Sequence, residues 1–217
     1  KANGRILAKG LISKVNDPRF DNSAMDGWAV KEEDCSSTNT TILRIVGTIQ
    51  AGSESVHTIE SGEACKITTG APIPEGADAI VIVENSRIEG ENVIITGQAK
   101  KSFIRIKGEN LSKGKLAIPE GTCMGSSTIS LAATMGYDEI SVFRKPIIGI
   151  ISTGDELVMP NSEIKDWQIF ESNSFGIAAL IEKMGGKPVR YGIVTDSIDQ
   201  LRETMNDAVD NCDALIT

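Results

Sequence analysis

Followed along its apolar and polar positions, the chain changes rhythm twice. From about Asn16 to Lys107, β-branched runs (TILRIVGTIQ, EACKITTG, DAIVIVEN, RIEGENVIITG) are broken by Gly, Pro and Ser clusters. Such runs predict short strands, and their spacing predicts a small barrel or sandwich. The stretch GENLSKGKLAIPEGTCMGSSTISLAATMGYDEISVF then combines a turn-rich entry with a helix. Ser126 or Ser127 is its candidate N-cap, Ile129, Leu131, Ala132 and Met135 its apolar stripe, and Gly136 its stop. After Pro146 the rhythm is α/β. IIGIIS, PVRYGIVT and DALIT are apolar strands. NSFGIAALIEKMGG is a helix with Asn173 near its N-cap and Gly185 and Gly186 past its end. SIDQLRETMNDAVDN is another, with Leu201, Met205, Ala208 and Val209 on one face. Strands and helices alternating in this way predict a parallel, doubly wound sheet.

Composition narrows the classes. A chain of 217 residues makes one large domain or two small ones. Its 21 glycines and 4% aromatics point to tight turns and an aliphatic core. A net charge of -8 repels nucleic acid and anionic membrane surfaces, while leaving room for an anionic substrate in a local site. Cys35, Cys65, Cys123 and Cys212 are scattered and His57 is the only histidine, which excludes a clustered zinc site. Scattered thiols fit a reducing, cytoplasmic setting, and the sequons at Asn39 and Asn110 read as chance. No apolar run approaches the roughly 20 residues of a spanning helix. KANGRILAKG is unlike a signal peptide, and the sequence reads as a fragment of a longer protein.

Chemistry concentrates in a few loops. FDNSAMDGWAV brings Asp21 and Asp26 together with Gly27 and Trp28. Gly27 is expected to let the loop turn and Asp21 to stabilise that turn. In parallel sheets, ligands bind beyond the carboxyl ends of the strands. The first α/β strand runs into Ser152, Thr153, Asp155 and Glu156, and the second into Asp196. Right-handed crossovers put both ends on one edge. Asp155 and Glu156 read as functional; Asp196 reads equally as a helix cap. No segment matches a P-loop, since Asp155 stands where its lysine would be. Carboxylates without that lysine point to a bound cation such as Mg²⁺. TTGAPIPEGADAIV is stiffened by Pro72 and Pro74 and carries Thr68, Thr69 and Gly70, so it is either a rigid turn or an oxyanion loop.

DNSAMDGWAV, TTGAPIPEGADAIV, GENLSKG and ISTGDEL, in this order, resemble the molybdopterin molybdenumtransferase family, to which the E domain of gephyrin is similar. The resemblance runs from Gly4 to the last residue. It implies an enzyme that takes molybdate and adenylated molybdopterin, releases AMP and leaves molybdenum on the dithiolene sulfurs, with Mg²⁺. It implies Asp26, Glu156 and Asp196 as catalytic, Thr69, Ser152, Thr153 and Asn110 as substrate-binding, and Asp155, Glu156 and Asp196 as metal ligands. The fold implied is multidomain α/β plus β. An elongated mixed domain (1–15 and 108–145) carries an inserted strand-rich domain (16–107), and the first half of a doubly wound α/β molybdopterin-binding domain follows (146–217). A homodimer is implied, with one subunit's inserted domain facing the other's cleft, and contact with the adenylyltransferase of the preceding step. A non-catalytic scaffold and the adenylyltransferase itself are the alternatives. Asn110 stands in GEN where the family has GED, Glu171 replaces a usual Asp, and Trp28 stands where Tyr is common. The family's N-terminal helix, the Gly-rich segment after the third α/β strand and the C-terminal β domain are absent from this sequence, so it is expected to be inactive alone.

Overall fold

The structure, a computed structural model, describes residues 2–35, 40–54 and 57–217; Asn39 lies outside them. Two compact units divide the chain: Gly10–Pro119 with Ser130–Glu139, and Lys1–Lys9 with Glu120–Ile129 and Ile140–Thr217.

The first unit is strand-rich. Its strands are β1 (Leu11–Ile12), β2 (Asn22–Ser23), β3 (Gly27–Val30), β4 (Thr41–Ile49), β5 (Glu63–Ile67), β6 (Ala79–Ile82), β7 (Ser86–Glu89), β8 (Asn92–Ile95), β9 (Ile104–Arg105) and β10 (Leu116–Ile118). Six of them make one sheet in the order β6-β3-β5-β4-β8-β7. All its pairs are antiparallel except β4 with β5, so the chain crosses over there instead of turning back as a hairpin. The closely spaced runs that predicted a barrel or sandwich form this one sheet, which has an apolar cluster on each face. Trp28, Val30, Leu43, Ala64 and Val81 pack in one cluster, and Ala29, Ile49, Cys65, Ile67 and Ile80 in the other. Trp28 is 1% exposed, and its indole N–H donates to Ser86 Oγ at 2.8 Å.

Gly27 does not turn the opening loop. It is the first residue of β3, buried between β5 and β6. A Cβ placed there would lie 1.9 Å from the Val81 carbonyl oxygen. The glycine allows two backbones to approach closely.

The second unit includes the first residues of α1 (Ser126–Thr134), a helix that ends before Gly136 at φ +89°. Its elements are β11 (Ile147–Thr153), β12 (Leu157–Val158), β13 (Ile169–Phe170), α2 (Asn173–Lys183), β14 (Lys187–Val194), α3 (Ile198–Asn211) and β15 (Ala214–Ile216). β11 lies between β14 and β15 and runs parallel to both, the doubly wound pattern expected. Asp213 ties the sheet at its amino end. Its carboxylate accepts both arms of the Arg144 guanidinium and the Ile147 N–H, the latter at 2.8 Å. Those donors, the arginine first, hold Asp213 down at about 2, from a usual 3.8.

Two outcomes follow from this architecture. Gly27→Ala is expected to destabilise the strand-rich unit by about 1–3 kcal/mol or more, read by urea unfolding. The folded-state pKa of Asp213 is depressed, so its contribution is present above pH 3.8 and lost as pH falls towards about 2. The stability difference between wild type and Asp213→Asn should therefore be constant near neutrality and close over that acid window.

Candidate functional site

In the strand-rich unit, strand register brings the first group together. Gly27 pairs with Ile67, so the residue before β3 faces the residues after β5. Asp26 Oδ1 there accepts the Thr69 N–H at 2.6 Å and the Thr69 hydroxyl at 2.8 Å. The amide, then the hydroxyl, lowers the Asp26 pKa, so this carboxylate is charged at neutral pH. The proline-stiffened loop is tied to the opening loop by Gly70 N–H donating to Ser23 O at 2.8 Å and Ser23 N–H to Ala71 O at 3.0 Å. Gly70 takes φ +82°, which a glycine adopts without strain.

Asp21 does not stabilise its own turn. Its Oδ1 accepts the N–H of distant Lys107 at 2.7 Å. Asn110 is held in the same way: its side-chain amide donates to Asp17 Oδ2 at 3.0 Å, and its backbone N–H to Asp17 O at 3.0 Å. Lys113 N–H donates to Asn16 Oδ1 at 2.8 Å. Residues 107–113 are thus laced onto residues 16–21 by Asn16, Asp17 and Asp21.

In the α/β unit, Ser152 and Thr153 end β11 at the carboxyl edge of the sheet. Asp155 Oδ1 accepts the Asp196 N–H at 3.3 Å, joining the loops that follow β11 and β14. The Glu156 carboxylate folds over Gly154, and its oxygens lie 2.5 and 2.7 Å from where a Gly154 Cβ would stand. Gly154 itself has φ +140°, so the position requires glycine. Asp196 does not cap α3. Ser197 does, accepting from the Gln200 N–H at 3.5 Å. A cavity of about 190 Å³ opens beside Asp196, Thr195 and Thr153. Thr153 also lines a second cavity of about 300 Å³, between β11, β13 and α2.

That larger cavity contains a group that sequence reasoning noted only as a departure. Glu171 is 2% exposed. Its carboxylate accepts the Ser174 N–H at 2.7 Å and the Ser174 hydroxyl at 2.6 Å. Arg190 donates through Nε to Ser174 Oγ at 2.8 Å, lies 3.8 Å from Glu171, and stacks 3.4 Å above the Phe175 ring. Burial works to raise the Glu171 pKa, but Ser174, Ser152 and Arg190 together hold it below the usual carboxyl range. The signal was present as a carboxylate three residues before Ser174 at a helix start, the spacing that reaches an unpaired helix N–H.

Among the described residues, no group of three or more His, Cys, Asp or Glu side chains is placed to hold a metal ion. Asp155 and Asp196, linked at the sheet edge, carry hard carboxylate oxygens, and one or two such groups suit Mg²⁺ only when phosphates complete its shell. No helix among the described residues is long and apolar enough to cross a membrane. All four cysteines are free thiols, and burial pushes Cys65 up to about 11.

A strand-rich unit joined to a parallel α/β unit with acids at its carboxyl edge has known counterparts. Residues 149–217 match the model of a probable molybdopterin binding domain, and residues 1–136 that of the MoeA N-terminal region (domain I and II). The chain belongs to the MoeA family. A molybdopterin molybdenumtransferase of Nostoc sp. is 37% identical over 220 residues, 100% of this chain and 50% of that protein. Another, of Staphylococcus epidermidis, is 35% identical over 222 residues, 99% of this chain and 52% of that protein. A solved molybdopterin biosynthesis MoeA protein of Pyrococcus horikoshii superposes with a TM-score of 0.92 at 31% identity, over 99% of this chain and 58% of that one. This chain thus spans about half the length of the relatives it matches.

Asn110→Asp would set a second carboxylate about 3.0 Å from Asp17 and remove the bond between them. We expect a loss of about 1 kcal/mol, or about 2–4 °C in melting temperature. Adding Asp17→Asn should restore it, because the donor and acceptor are then exchanged.

Proposed function

We propose that the full-length protein is a transferase that inserts molybdate into adenylated molybdopterin, releasing AMP. The observation that carries this reading is the alignment of relatives bearing that name over essentially the whole chain, motif loops included. The site supports it physically. Asp155 and Asp196 lie on two loops joined at the carboxyl edge of a parallel sheet, where α/β proteins bind ligands. These two carboxylates would hold Mg²⁺ with the substrate phosphates supplying the rest of its shell, while Glu156 folds back over Gly154. When bound, that cation supplies charge neutralisation as AMP departs. Thr153 lines both cavities. Thr69 keeps Asp26 ionised and aimed, so Asp26 acts as an acceptor or a fixed negative charge, not as an acid.

Three domains along the chain (1–15 with 108–145, 16–107 and 146–217), a homodimer, a cytoplasmic location and contact with the adenylyltransferase complete the reading. The scaffold alternative draws on Asn110, which carries no charge. Asp17 lies bonded to it, so the loop keeps a carboxylate.

The deciding experiment follows AMP release from the adenylate by the full-length protein with Mg²⁺, with and without molybdate. Release only with molybdate is expected. Asp26→Ala and Asp196→Ala should each lower kcat by about 100-fold or more with melting unchanged. Activity within a few-fold of wild type would remove that residue from the site. Absence of release, with the adenylate still bound, would favour the scaffold.

A further inference from the structure

We propose that Gln200 is a positioning residue: by taking the Thr195 proton, it turns that hydroxyl into an acceptor for the water shell of a cation held by Asp155 and Asp196. This rests on the reading above and adds to it two residues outside its motif loops.

Ser197, Ile198, Asp199 and Gln200 have the S-x-x-Q spacing of a capping box. In such a box the first side chain accepts the N–H of the fourth residue, and the fourth side chain reaches back to the first N–H. Only the first half forms here. Ser197 Oγ accepts the Gln200 N–H at 3.5 Å. The Ser197 N–H goes instead to Thr195 O at 2.7 Å, in the tight turn that presents Asp196. The Gln200 side chain is thereby released, and its Oε1 accepts the Thr195 hydroxyl at 2.5 Å. That separation suits O–H···O and is short for N–H···O, so the amide oxygen faces the threonine.

A hydroxyl has one proton and two lone pairs. With its proton given to Gln200, Thr195 can only accept from a ligand. Thr195 lines the cavity of about 190 Å³ together with Asp196 and Thr153. A carboxylate likewise only accepts, so consecutive residues present acceptors to one cavity. Such a pair repels a phosphate oxygen and attracts a donor. The waters on Mg²⁺ are donors, and the ion keeps several of them when one or two carboxylates bind it. Among the described residues, acids alone make no group of three, so the hydroxyl adds an oxygen that carboxylates do not supply. Asp196 is already tied to Asp155 by its own N–H at 3.3 Å. Gln200 lies outside the cavity lining, so its action on the cation passes through Thr195.

The test titrates the full-length protein with Mn²⁺ alone, a hard ion that takes carboxylate and water ligands as Mg²⁺ does, and reads the free ion by electron paramagnetic resonance. A site that is lost in Asp196→Asn is expected. Thr195→Val, close in shape but without a hydroxyl, should weaken it about 5–10-fold, while Thr195→Ser stays within about 2-fold of wild type. Gln200→Ala should weaken it about 3-fold or more when Thr195 is present and cause no further loss in Thr195→Val, because the two act as one unit. Melting temperatures should be unchanged throughout. A residue that only supported the start of α3 would give the same loss in both backgrounds. Absence of the site from wild type, its survival in Asp196→Asn, full affinity in Thr195→Val, or additive losses in the double variant would each overturn the proposal. AMP release alongside one of these results would sink the inference and leave the transferase reading intact. The expected Mn²⁺ pattern without AMP release would do the reverse.

Discussion

A buried carboxylate must be given hydrogen bonds or it loses its charge, and at Glu171 that requirement organises the α/β unit. The donors come from the start of α2 through the Ser174 N–H and hydroxyl, with the Arg190 guanidinium of β14 3.8 Å away. Remove the carboxylate and the start of α2 and Arg190 lose a common partner beside the larger cavity. Apolar packing alone would leave those groups free to slide, because dispersion has little directional preference. The polar network fixes them.

The strand-rich unit uses a different constraint for the same end. The residues placing Asp26 are apolar and backbone groups: the Gly27–Val81 approach and the Gly27–Ile67 register. A slip of one residue would turn Trp28 out of its cluster and carry Asp26 away from Thr69. Core packing and the orientation of a site carboxylate are therefore coupled. Asp26 needs no polar scaffold beyond Thr69, because the sheet supplies its geometry.

Much of this was legible in the sequence where a short-range rule applied. β-branched and apolar runs located the strands, helical patterns located both helices after Pro146, and apolar strands separated by helices gave the parallel sheet. Glycines past helix ends behaved as stops, as at Gly136 and Gly185. What escaped depended on pairing between distant residues. Gly27 read as a turn because it follows Asp26, and only the β6 backbone beside it shows why glycine is needed. Asp21 read as a local turn residue but reaches Lys107, 86 positions away. The cap of α3 fell to Ser197, one residue from the acid weighed for it. Glu171 was visible as a substitution, yet its burial and its hold on Ser174 belong to the fold.

The bond between Asn110 and Asp17 has a consequence for which residues the two positions tolerate. Each side chain supplies what the other lacks: the amide gives the proton and the carboxylate takes it. An acid at 110 alone would face the Asp17 carboxylate, whereas an amide at both positions could still pair, since an amide donates through nitrogen and accepts through oxygen. What position 110 can carry is thus bounded by a residue 93 positions away in the chain.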